Sequence, residues 1–435
     1  MKMKIDVDLQ KIRKVHFIGV GGIGISAIAR MMLQEGKGVS GSDLIESDIT
    51  HSLEKGGMKF TVGQRVEDVP ADTELVIYTN AIKSANSSFL SELGKMGKPL
   101  LSYPEALSVI SKNKKTIAVA GTHGKTTTTA MIGTILKDAG LDPTIVVGAQ
   151  LKREGTNMVS GKSDYFVVEA DEYRRAFLNL SPYILVINNI DADHLDYYKN
   201  LADIQGAFKE LAEKVSQNGF IICNATHPHV VSVISEIKAK VVDYLKIENV
   251  PALKFPGVHN IENAKAALAV AEALLIDSEG ARKSLVDFEG TERRFEYKGE
   301  TGNGVLVYDD YAHNPQKVKA ALQGAREKYP DSKIFAVFQP HLFSRTKLLL
   351  KEFGESFKEA NKVIILPIYP AREVDDGSIS NKDLTLEIEK YQKNVQALDF
   401  DEAVEFLKTT PKIGDVIITL GAGEAYKVGN AILEK

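Results

Sequence analysis

Short apolar runs alternate with segments of helical length from one end of the chain to the other. Residues 15–18 and 116–120 are two such runs, and each leads through a glycine-containing loop into a segment of helical length. Continuous apolar strands that alternate with helices are typical of parallel sheets with both faces covered. The pattern therefore predicts an α/β protein.

Two breaks divide this pattern into three segments. A polar stretch at residues 111–115 interrupts it first, and a turn-rich junction at residues 298–304 interrupts it again. A chain of 435 residues is also longer than one hydrophobic core usually serves. We therefore expect three domains, at residues 1–111, 112–297 and 298–435, each built on its own sheet.

Composition and charge exclude several classes of protein. Hydrophobic residues make up 44% of the chain and charged residues 26%, which is ordinary for a globular protein. The net charge of −4, with acids and bases interleaved, offers no basic face, so we expect no nucleic acid and no membrane partner. No stretch approaches a membrane span, and Cys223 has no second cysteine to pair with. We expect a cytoplasmic protein, monomeric or weakly homo-oligomeric.

A glycine-rich loop follows the strand at residues 116–120 and opens a helix. The loop and the first helical residues are Gly121, Thr122, His123, Gly124, Lys125, Thr126 and Thr127. Backbone N–H groups at such a helix start hold phosphates, while the lysine reaches the terminal phosphates and the hydroxyl of Thr126 ligates Mg²⁺. The strict motif has a further glycine where this chain has Val119, so the loop is a shortened variant. It predicts binding of ATP with Mg²⁺.

Carboxylates and a histidine follow the next two strands of the central segment. Glu169 ends one strand, and His194 lies after the strand at residues 184–187. Because the carboxyl ends of parallel strands meet at one edge of a sheet, both side chains should approach Lys125 and Thr126. Glu169 is the best placed to offset the charge of ATP through Mg²⁺.

A second glycine loop follows the strand at residues 15–18. It matches the dinucleotide-binding fingerprint at Gly19, Gly21, Gly22 and Gly24, with Ser42 and Asp43 downstream. By itself the fingerprint would indicate a nicotinamide-dependent oxidoreductase. Its physical content, however, is a diphosphate at a helix N-terminus and an acid near a ribose, which any nucleotide-diphosphate substrate satisfies equally.

Three polar clusters lie late in the chain, at residues 291–295, 309–315 and 339–345. Each brings cations or a histidine to a loop beside a predicted strand. Charged clusters are usually solvated faces, whereas polar groups at strand ends are typical of binding sites. The residues alone favour neither interpretation.

Taken in order, these motifs resemble those of the ATP-dependent Mur ligases of bacterial cell-wall synthesis, over nearly the whole chain. The matching positions are residues 19–27, 41–43, 121–128, 169–172, 189–194, 257–260, Asn263, Arg294, 310–313 and 338–345. The resemblance implies an N-terminal Rossmann-like domain, a central P-loop ATPase-like parallel sheet and a C-terminal Rossmann-like domain.

The resemblance also implies where the substrates bind. The UDP part of UDP-N-acetylmuramate would lie on the first domain, against Gly19, Gly21, Gly22, Gly24, Ser42 and Asp43. ATP would lie on the central domain, with Asn260 and Asn263 toward the adenine. Arg294 and Asp310 would meet its γ-phosphate and ribose.

The reaction implied by the resemblance joins L-alanine to the lactyl carboxylate of the nucleotide sugar through an acyl phosphate, in peptidoglycan precursor synthesis. Thr126, Glu169 and His194 would hold Mg²⁺, and His313 and Arg345 would position the amino acid. The groups expected to carry the chemistry are Lys125, His194, Arg294, His313 and Arg345.

Departures from the family pattern leave the acceptor open. Asn314 stands where a second histidine is usual, and Leu342 where an arginine or threonine is common. Residues 224–254 are fewer than expected, and Glu424 replaces an aspartate. A murein tripeptide ligase acting on the same nucleotide sugar is therefore the nearest alternative. A nicotinamide-dependent oxidoreductase and a non-catalytic nucleotide-binding regulator are the others.

Overall fold

The computed structural model describes residues 7–82, 87–194, 197–371 and 373–434. Its internal contacts group into two compact units. The first comprises the described residues up to Ala252 together with Ile261–Glu289, and the second comprises Leu253–Asn260 and the described residues from Gly290 onward. Among the described residues, no helix is both long enough and apolar enough to cross a membrane.

The N-terminal sheet of the first unit is entirely parallel. Its elements are β1 (Lys14–Ile18), α1 (Ile23–Gln34), β2 (Gly38–Asp43), α2 (Asp48–Lys55), β3 (Lys59–Val62), β4 (Leu75–Tyr78), α3 (Ser87–Lys95), β5 (Leu100–Ser102) and α4 (Tyr103–Ser111). The strand order is β3-β2-β1-β4-β5. The order reverses beside β1, which leaves a crevice at the carboxyl end of that strand. The predicted Rossmann-like arrangement is confirmed, and its glycine loop lies at this crevice.

The second sheet of the first unit carries the phosphate loop. Its elements are β6 (Lys115–Ala120), α5 (Lys125–Asp138), β7 (Thr144–Leu151), β8 (Thr156–Val159), β9 (Tyr165–Glu169), β10 (Ile184–Ile187), α6 (Leu201–Ala212), β11 (Phe220–Cys223), α7 (Pro228–Ile234), β12 (Lys240–Asp243), α8 (Val258–Ala273) and α9 (Ser278–Asp287). The order is β12-β11-β10-β6-β9-β7-β8, and only β8 is antiparallel to its neighbour among these described strands. The loop after β6 therefore lies between the ends of β9 and β10.

The two sheets of the first unit share one apolar core. A single buried cluster extends from Phe17 on β1 to Phe208 on α6. Asn157 on β8 adds polar contacts, since its side-chain amide donates to the carbonyl of Ile23 at 2.5 Å and to the hydroxyl of Ser26 at 3.3 Å. Burial of this continuous apolar surface explains why the contacts place both sheets in one unit.

The second unit contains a sheet of six strands. Its elements are β13 (Glu296–Glu300), β14 (Leu306–Asp310), α10 (Pro315–Lys328), β15 (Ile334–Phe338), α11 (Phe343–Leu348), α12 (Leu350–Gly354), β16 (Lys362–Ile365), α13 (Asn381–Ile388), β17 (Val395–Ala397), α14 (Phe400–Thr409), β18 (Val416–Leu420) and α15 (Tyr426–Leu433). The order is β13-β14-β18-β15-β16-β17, with β13 antiparallel to β14. The α/β class with three sheets is confirmed.

One strand of the second unit was missed in the sequence. Residues 298–304 read as a turn-rich junction, but β13 runs through Lys298 and Gly299 to Glu300. The strand is short, bulged between Tyr297 and Gly299, and lies at the sheet edge, so its hydrophobic pattern is weak.

A histidine is buried in the middle of β1. His16 is 1% exposed, and its Nδ1 lies 2.9 Å from the hydroxyl of Ser40 on the neighbouring strand. Its Nε2 lies 3.4 Å from the hydroxyl of Ser42. Burial lowers the pKa of His16 to about 4, although the negative charge of Asp68 acts in the opposite direction. The imidazole is therefore neutral in the folded protein at neutral pH.

This burial predicts acid sensitivity. Between about pH 6.5 and pH 4 the unfolded chain binds a proton at His16 that the folded chain does not, so stability falls as the pH falls through that range. The full loss is about 3 kcal/mol. We expect the drop in thermal midpoint from pH 7 to pH 5 to be smaller in His16→Gln than in the wild type. His51→Gln, at an exposed histidine, is the control, and equal drops in both variants would contradict the prediction.

Candidate functional site

The phosphate loop has a backbone conformation that only glycine adopts without strain at two positions. Gly121 has φ +141° and Gly124 has φ +79°. A Cβ atom at position 124 would lie 2.3 Å from Oδ1 of Asn263 and 2.7 Å from Nδ2 of Asn188. Gly124 precedes α5 and contributes no side-chain cap, so the first N–H groups of the helix are available to a phosphate.

The loop after β10 holds the phosphate loop in place. The N–H of His123 donates to Oδ1 of Asn189 at 2.8 Å, and the N–H of Thr122 donates to the Asn189 carbonyl at 3.2 Å. The hydroxyl of Thr122 in turn accepts from the N–H of Asp191 at 2.9 Å. Thr127 lies half-buried on the first turn of α5. The predicted cradle is therefore preformed rather than a mobile turn.

Lys125 is held by a buried carboxylate. Its Nζ donates to the carbonyl of Gly121 at 2.6 Å and lies 2.8 Å from Oε2 of Glu172, a residue that is 3% exposed. Burial lowers the pKa of Lys125, but the negative charges of Glu172 and its neighbours outweigh this effect and raise the pKa overall. Burial would raise the pKa of Glu172, but Lys125 outweighs it and the pKa falls to about 2. Both groups are therefore charged.

The predicted metal ligands fall into two groups. The hydroxyl of Thr126 donates to the carboxylate of Glu169 at 3.0 Å, and the same carboxylate accepts the N–H of Gly148 at 2.9 Å. His194 is placed elsewhere, with Nε2 3.6 Å from Oε1 of Glu172. The structure brings Thr126 and Glu169 together, whereas His194 lies beside Glu172, which follows the strand that ends at Glu169.

Two acids that the sequence analysis did not single out lie beside His194. Asp171 and Glu172 each offer an oxygen within 4.8 Å of the other and of a His194 nitrogen. Burial and the charge of Glu172 raise the pKa of Asp171 to about 6, which is the response of two carboxylates that share one site. The sequence signal was available, since residues 169–172 place three acids directly after a buried strand.

The glycine loop after β1 has the same kind of close packing. A Cβ atom at Gly19 would lie 2.4 Å from Cγ2 of Thr79, and the N–H of Gly21 donates to Oδ2 of Asp43 at 2.8 Å. Ser42 is buried at 1% exposure, and its carbonyl accepts the N–H of Gly19 at 2.8 Å. Ser42 and Asp43 therefore hold the glycine loop in place. The sequence predicted only a contact of these two residues with a nucleotide and not this structural role.

The predicted adenine residues are placed by α8. Oδ1 of Asn263 lies 3.4 Å from Nδ2 of Asn188, beside Gly124 of the phosphate loop. In the second unit, the side chain of Asn260 donates to the carbonyl of Pro256 at 2.7 Å. Asn263 thus supports the phosphate loop directly, and its role toward a base stays a prediction.

The second unit has its own polar cluster at the strand ends. Asp310 ends β14, and its carboxylate accepts the N–H of Phe295 at 2.7 Å and of Ala312 at 2.8 Å. Burial raises the pKa of Asp310 although the positive charge of Arg294 lowers it. The Arg294 guanidinium lies over the ring of Tyr311, 5.4 Å from its centroid.

His313 and Arg345 belong to the same cluster. Nδ1 of His313 lies 2.8 Å from the carbonyl of Tyr311, and burial, with the positive charges of Lys317 and Arg345, lowers the pKa of His313 well below its usual value. Arg345 lies 3.3 Å from Nδ1 of His341, which the sequence analysis quoted but gave no role. A neutral imidazole and a guanidinium therefore lie in one cluster at the strand ends, and their role toward an amino acid stays a prediction.

Arg293 was missed beside Arg294. Its Nε lies 2.8 Å from the buried carboxylate of Asp309, and its NH2 donates to the carbonyl of Gly421 at 2.6 Å. It joins the ends of β14 and β18 and so has a structural task. The adjacent pair of arginines in the sequence gave no sign of which one faces inward.

The chain matches three family models in order. They are described as "Mur ligase family, catalytic domain" at residues 14–115, "Mur ligase middle domain" at residues 119–252, and "Mur ligase, glutamate ligase domain" at residues 293–423. The three matches cover most of the chain, and each covers most of one of the three sheets.

Curated and solved proteins of one kind are similar over the full length. The UDP-N-acetylmuramate–L-alanine ligases of Caldanaerobacter subterraneus subsp. tengcongensis and Acetivibrio thermocellus are each 41% identical, over 99% and 98% of this chain and 99% and 97% of theirs. The crystal structure of UDP-N-acetylmuramate-alanine ligase from Thermotoga maritima is 27% identical, with a TM-score of 0.81 over 97% of this chain and 98% of that one. A murein peptide ligase from Psychrobacter arcticus, 24% identical with a TM-score of 0.73 over 97% and 99%, shares the fold.

The phosphate loop yields a matched pair of variants. Gly124 and Gly140 both have positive φ, +79° and +75°, but a Cβ at position 140 meets nothing within 4 Å. Each alanine therefore carries a similar backbone cost of about 1 kcal/mol, and only Gly124→Ala collides with Asn188 and Asn263. We expect Gly124→Ala to lose ATP binding in calorimetric titration and Gly140→Ala to retain it. Equal affinities in the two variants would show that the packing of the loop is not required.

Proposed function

Because the chain belongs to the Mur ligase family, we propose that it joins L-alanine to the lactyl carboxylate of UDP-N-acetylmuramate at the expense of ATP, in peptidoglycan precursor synthesis. The acceptor and the sugar follow from relatives that are 41% identical over almost their whole length. The reaction class is that of a carboxylate–amine ligase that forms ADP.

The observation that carries the chemistry is the charged Lys125 at the start of α5. Its ammonium donates to the carbonyl of Gly121 and forms an ion pair with Glu172. It lies at the N-terminus of α5, where the first N–H groups of the helix follow the phosphate loop. An ammonium and a helix N-terminus together stabilise the negative charge that accumulates on a transferring phosphoryl group. A nicotinamide-dependent oxidoreductase would have no use for this arrangement.

The donor set beside Lys125 fits Mg²⁺. Thr126 and Glu169 supply hydroxyl and carboxylate oxygens, and His194 with Asp171 and Glu172 adds a second group of donors. Hard oxygen donors with excess negative charge are what Mg²⁺ requires. When bound, Mg²⁺ neutralises phosphate oxygens and so makes the γ-phosphorus accessible to an anionic nucleophile.

The proposed reaction has two bond exchanges. The lactyl carboxylate attacks the γ-phosphorus of ATP, the bond from that phosphorus to ADP breaks, and an acyl phosphate forms. The neutral amine of L-alanine then attacks the acyl carbon, phosphate leaves, and the amine gives up a proton to form the amide. Lys125 holds the phosphoryl charge in the first step. A carboxylate without this activation would have to expel oxide, which is a very poor leaving group.

We also propose roles for the residues that would bind the rest of ATP and the amino acid. Arg294 and Asp310 serve the γ-phosphate and ribose, and Asn260 and Asn263 the adenine. Arg345 pairs with the carboxylate of L-alanine, a contact in which a guanidinium donates two parallel hydrogen bonds. His313 is neutral in the structure because its pKa is lowered, so it orients the amino acid without adding charge.

The nucleotide sugar is proposed to bind at the loop after β1. This loop contains Gly19, Gly21, Gly22 and Gly24. At Gly19 and Gly24 the neighbouring atoms lie too close for a side chain, so the loop offers its backbone to the diphosphate. Asp43 shapes this loop through the N–H of Gly21. The fingerprint is thus explained by UDP-N-acetylmuramate instead of a nicotinamide cofactor.

The proposed function is tested by phosphate release from ATP with Mg²⁺ and UDP-N-acetylmuramate. The acceptors compared are L-alanine, glycine, L-serine and the tripeptide L-alanyl-γ-D-glutamyl-diaminopimelate. We expect turnover with L-alanine, and only when the nucleotide sugar is present. Turnover with the tripeptide alone would move the chain to the murein peptide ligases, and silence with every acceptor would refute the proposal.

Removal of the Lys125 ammonium should affect the use of ATP but not the binding of the nucleotide sugar. We expect Lys125→Ala to lose ATP-dependent turnover by at least about a thousandfold, since a charge-stabilising donor contributes that much to such steps. UDP-N-acetylmuramate affinity in calorimetric titration should be unchanged, because that ligand lies on a different sheet. The control is Lys137→Ala, at the opposite end of α5 and also ion-paired, to Glu154. Loss of both turnover and UDP-N-acetylmuramate binding in Lys125→Ala would contradict the assignment of the two nucleotides to separate sites. Loss of turnover in Lys137→Ala would contradict it as well.

A further inference from the structure

Tyr103 stands at the end of the first sheet with its backbone fixed on both sides. It is the first residue of α4 and directly follows β5. The preceding Ser102 is locked by Glu105, whose carboxylate accepts the Ser102 N–H at 2.8 Å and its hydroxyl at 2.6 Å. Pro104 fixes the first helical turn. The direction in which the Tyr103 side chain leaves the helix is therefore determined.

The tip of this side chain rests on the glycine loop. A Cβ atom at Gly24 would lie 2.8 Å from Cζ and 2.9 Å from the phenol oxygen of Tyr103. Gly24 is the last glycine of the loop that we assign to the diphosphate. The phenol oxygen thus lies at the edge of the proposed nucleotide-sugar site.

The helix that Tyr103 opens lies beside the acid-rich segment of the phosphate-loop sheet. Helix α4 packs against the short 3-10 helix Tyr173–Asn179, which directly follows Glu172. Burial and the charges of Glu169 and Asp171 raise the pKa of Tyr103, so the phenol is neutral and can donate. Among the residues that the structure describes, no group forms a hydrogen bond with its hydroxyl.

We propose that the Tyr103 hydroxyl donates a hydrogen bond to the lactyl carboxylate of the nucleotide sugar and holds it between the two glycine loops. This inference rests on the proposed function. The carboxylate is joined through the sugar to a diphosphate at the Gly19–Gly24 loop, yet it must reach a phosphoryl group beside Lys125. Tyr103 contacts Gly24 of the first loop, and its helix packs against the segment that follows Glu172, the partner of Lys125.

A neutral donor suits this position. The lactyl group is an anion that approaches Glu169 and Asp171, so another carboxylate there would repel it and a second fixed cation would compete with Lys125 for the acids. A hydroxyl with no hydrogen-bond partner in the described part of the chain gains one to a charged group when the substrate binds. Tyr103 is thus a substrate-binding residue for the reacting end of the sugar rather than for its nucleotide end.

The test compares two nucleotide sugars that differ only in the lactyl group. UDP-N-acetylmuramate carries it, and UDP-N-acetylglucosamine has a free hydroxyl in its place. Affinities of both are measured by calorimetry for the wild type, Tyr103→Phe and Tyr183→Phe. The control residue Tyr183 is a half-buried tyrosine immediately before β10, at the opposite end of the strands from the phosphate loop.

In Tyr103→Phe we expect UDP-N-acetylmuramate to bind about ten- to a hundredfold more weakly, with UDP-N-acetylglucosamine unchanged. The KM for UDP-N-acetylmuramate should rise while the KM for ATP stays the same, and Tyr183→Phe should match the wild type. An equal loss of affinity for both sugars would mean that Tyr103 only supports the loop at Gly24. Unchanged affinity for both would mean that the hydroxyl does not contact the lactyl group. Either result overturns the inference. A wild type without L-alanine-dependent phosphate release would overturn the proposed function itself.

Discussion

The ion pair between Lys125 and Glu172 is the interaction on which the central site depends. An ammonium at this depth loses most of its hydration, and it stays charged because Glu172 and the neighbouring acids repay that cost. Glu172 is equally dependent on Lys125, since its own burial opposes ionisation. Each charge is therefore present in the folded protein because the other is, and Lys125 joins the pair to the phosphate loop through the carbonyl of Gly121.

This pair also explains how the protein keeps a cation ready for ATP. Lys125 has a carboxylate and a carbonyl as its partners before any nucleotide arrives, so its position is set in advance. In the proposed function, an incoming triphosphate replaces Glu172 as the partner of the ammonium. Glu172 would then lie with His194 and Asp171, a group of donors that could hold a divalent cation. On this proposal, phosphate binding and metal binding are linked through Glu172.

The sequence predicted the parts of the site that depend on local geometry. Gly121 and Gly124 announce a strand–loop–helix transition, and the structure shows why glycine is required there, through a positive φ and the close approach of Asn188 and Asn263. The acid-rich strand end and His194 were found for the same reason, because the carboxyl ends of parallel strands share one edge.

The parts that depend on side-chain direction were not predictable. The sequence singled out Glu169 among the three acids at residues 169–172 but gave no role to Glu172. The turn after β9 decides that Glu169 contacts Thr126 while Glu172 contacts Lys125. Side-chain direction also decides which of Arg293 and Arg294 faces inward. Strand β13 was not predicted because a short, bulged edge strand has little hydrophobic pattern. The contact of Tyr103 with Gly24 joins residues far apart in the chain, which no local pattern encodes.

The proposed function requires ATP to bind at the loop of Lys125 and not at the loop after β1. A crystal structure with a non-hydrolysable ATP analogue and Mn²⁺ tests it most directly. We expect the triphosphate on the N–H groups of residues 121–126, with Lys125 turned from Glu172 to the phosphate oxygens and an anomalous Mn²⁺ peak beside Thr126 and Glu169. A nucleotide lying against Gly19 and Gly24, with Lys125 still paired to Glu172, would contradict it.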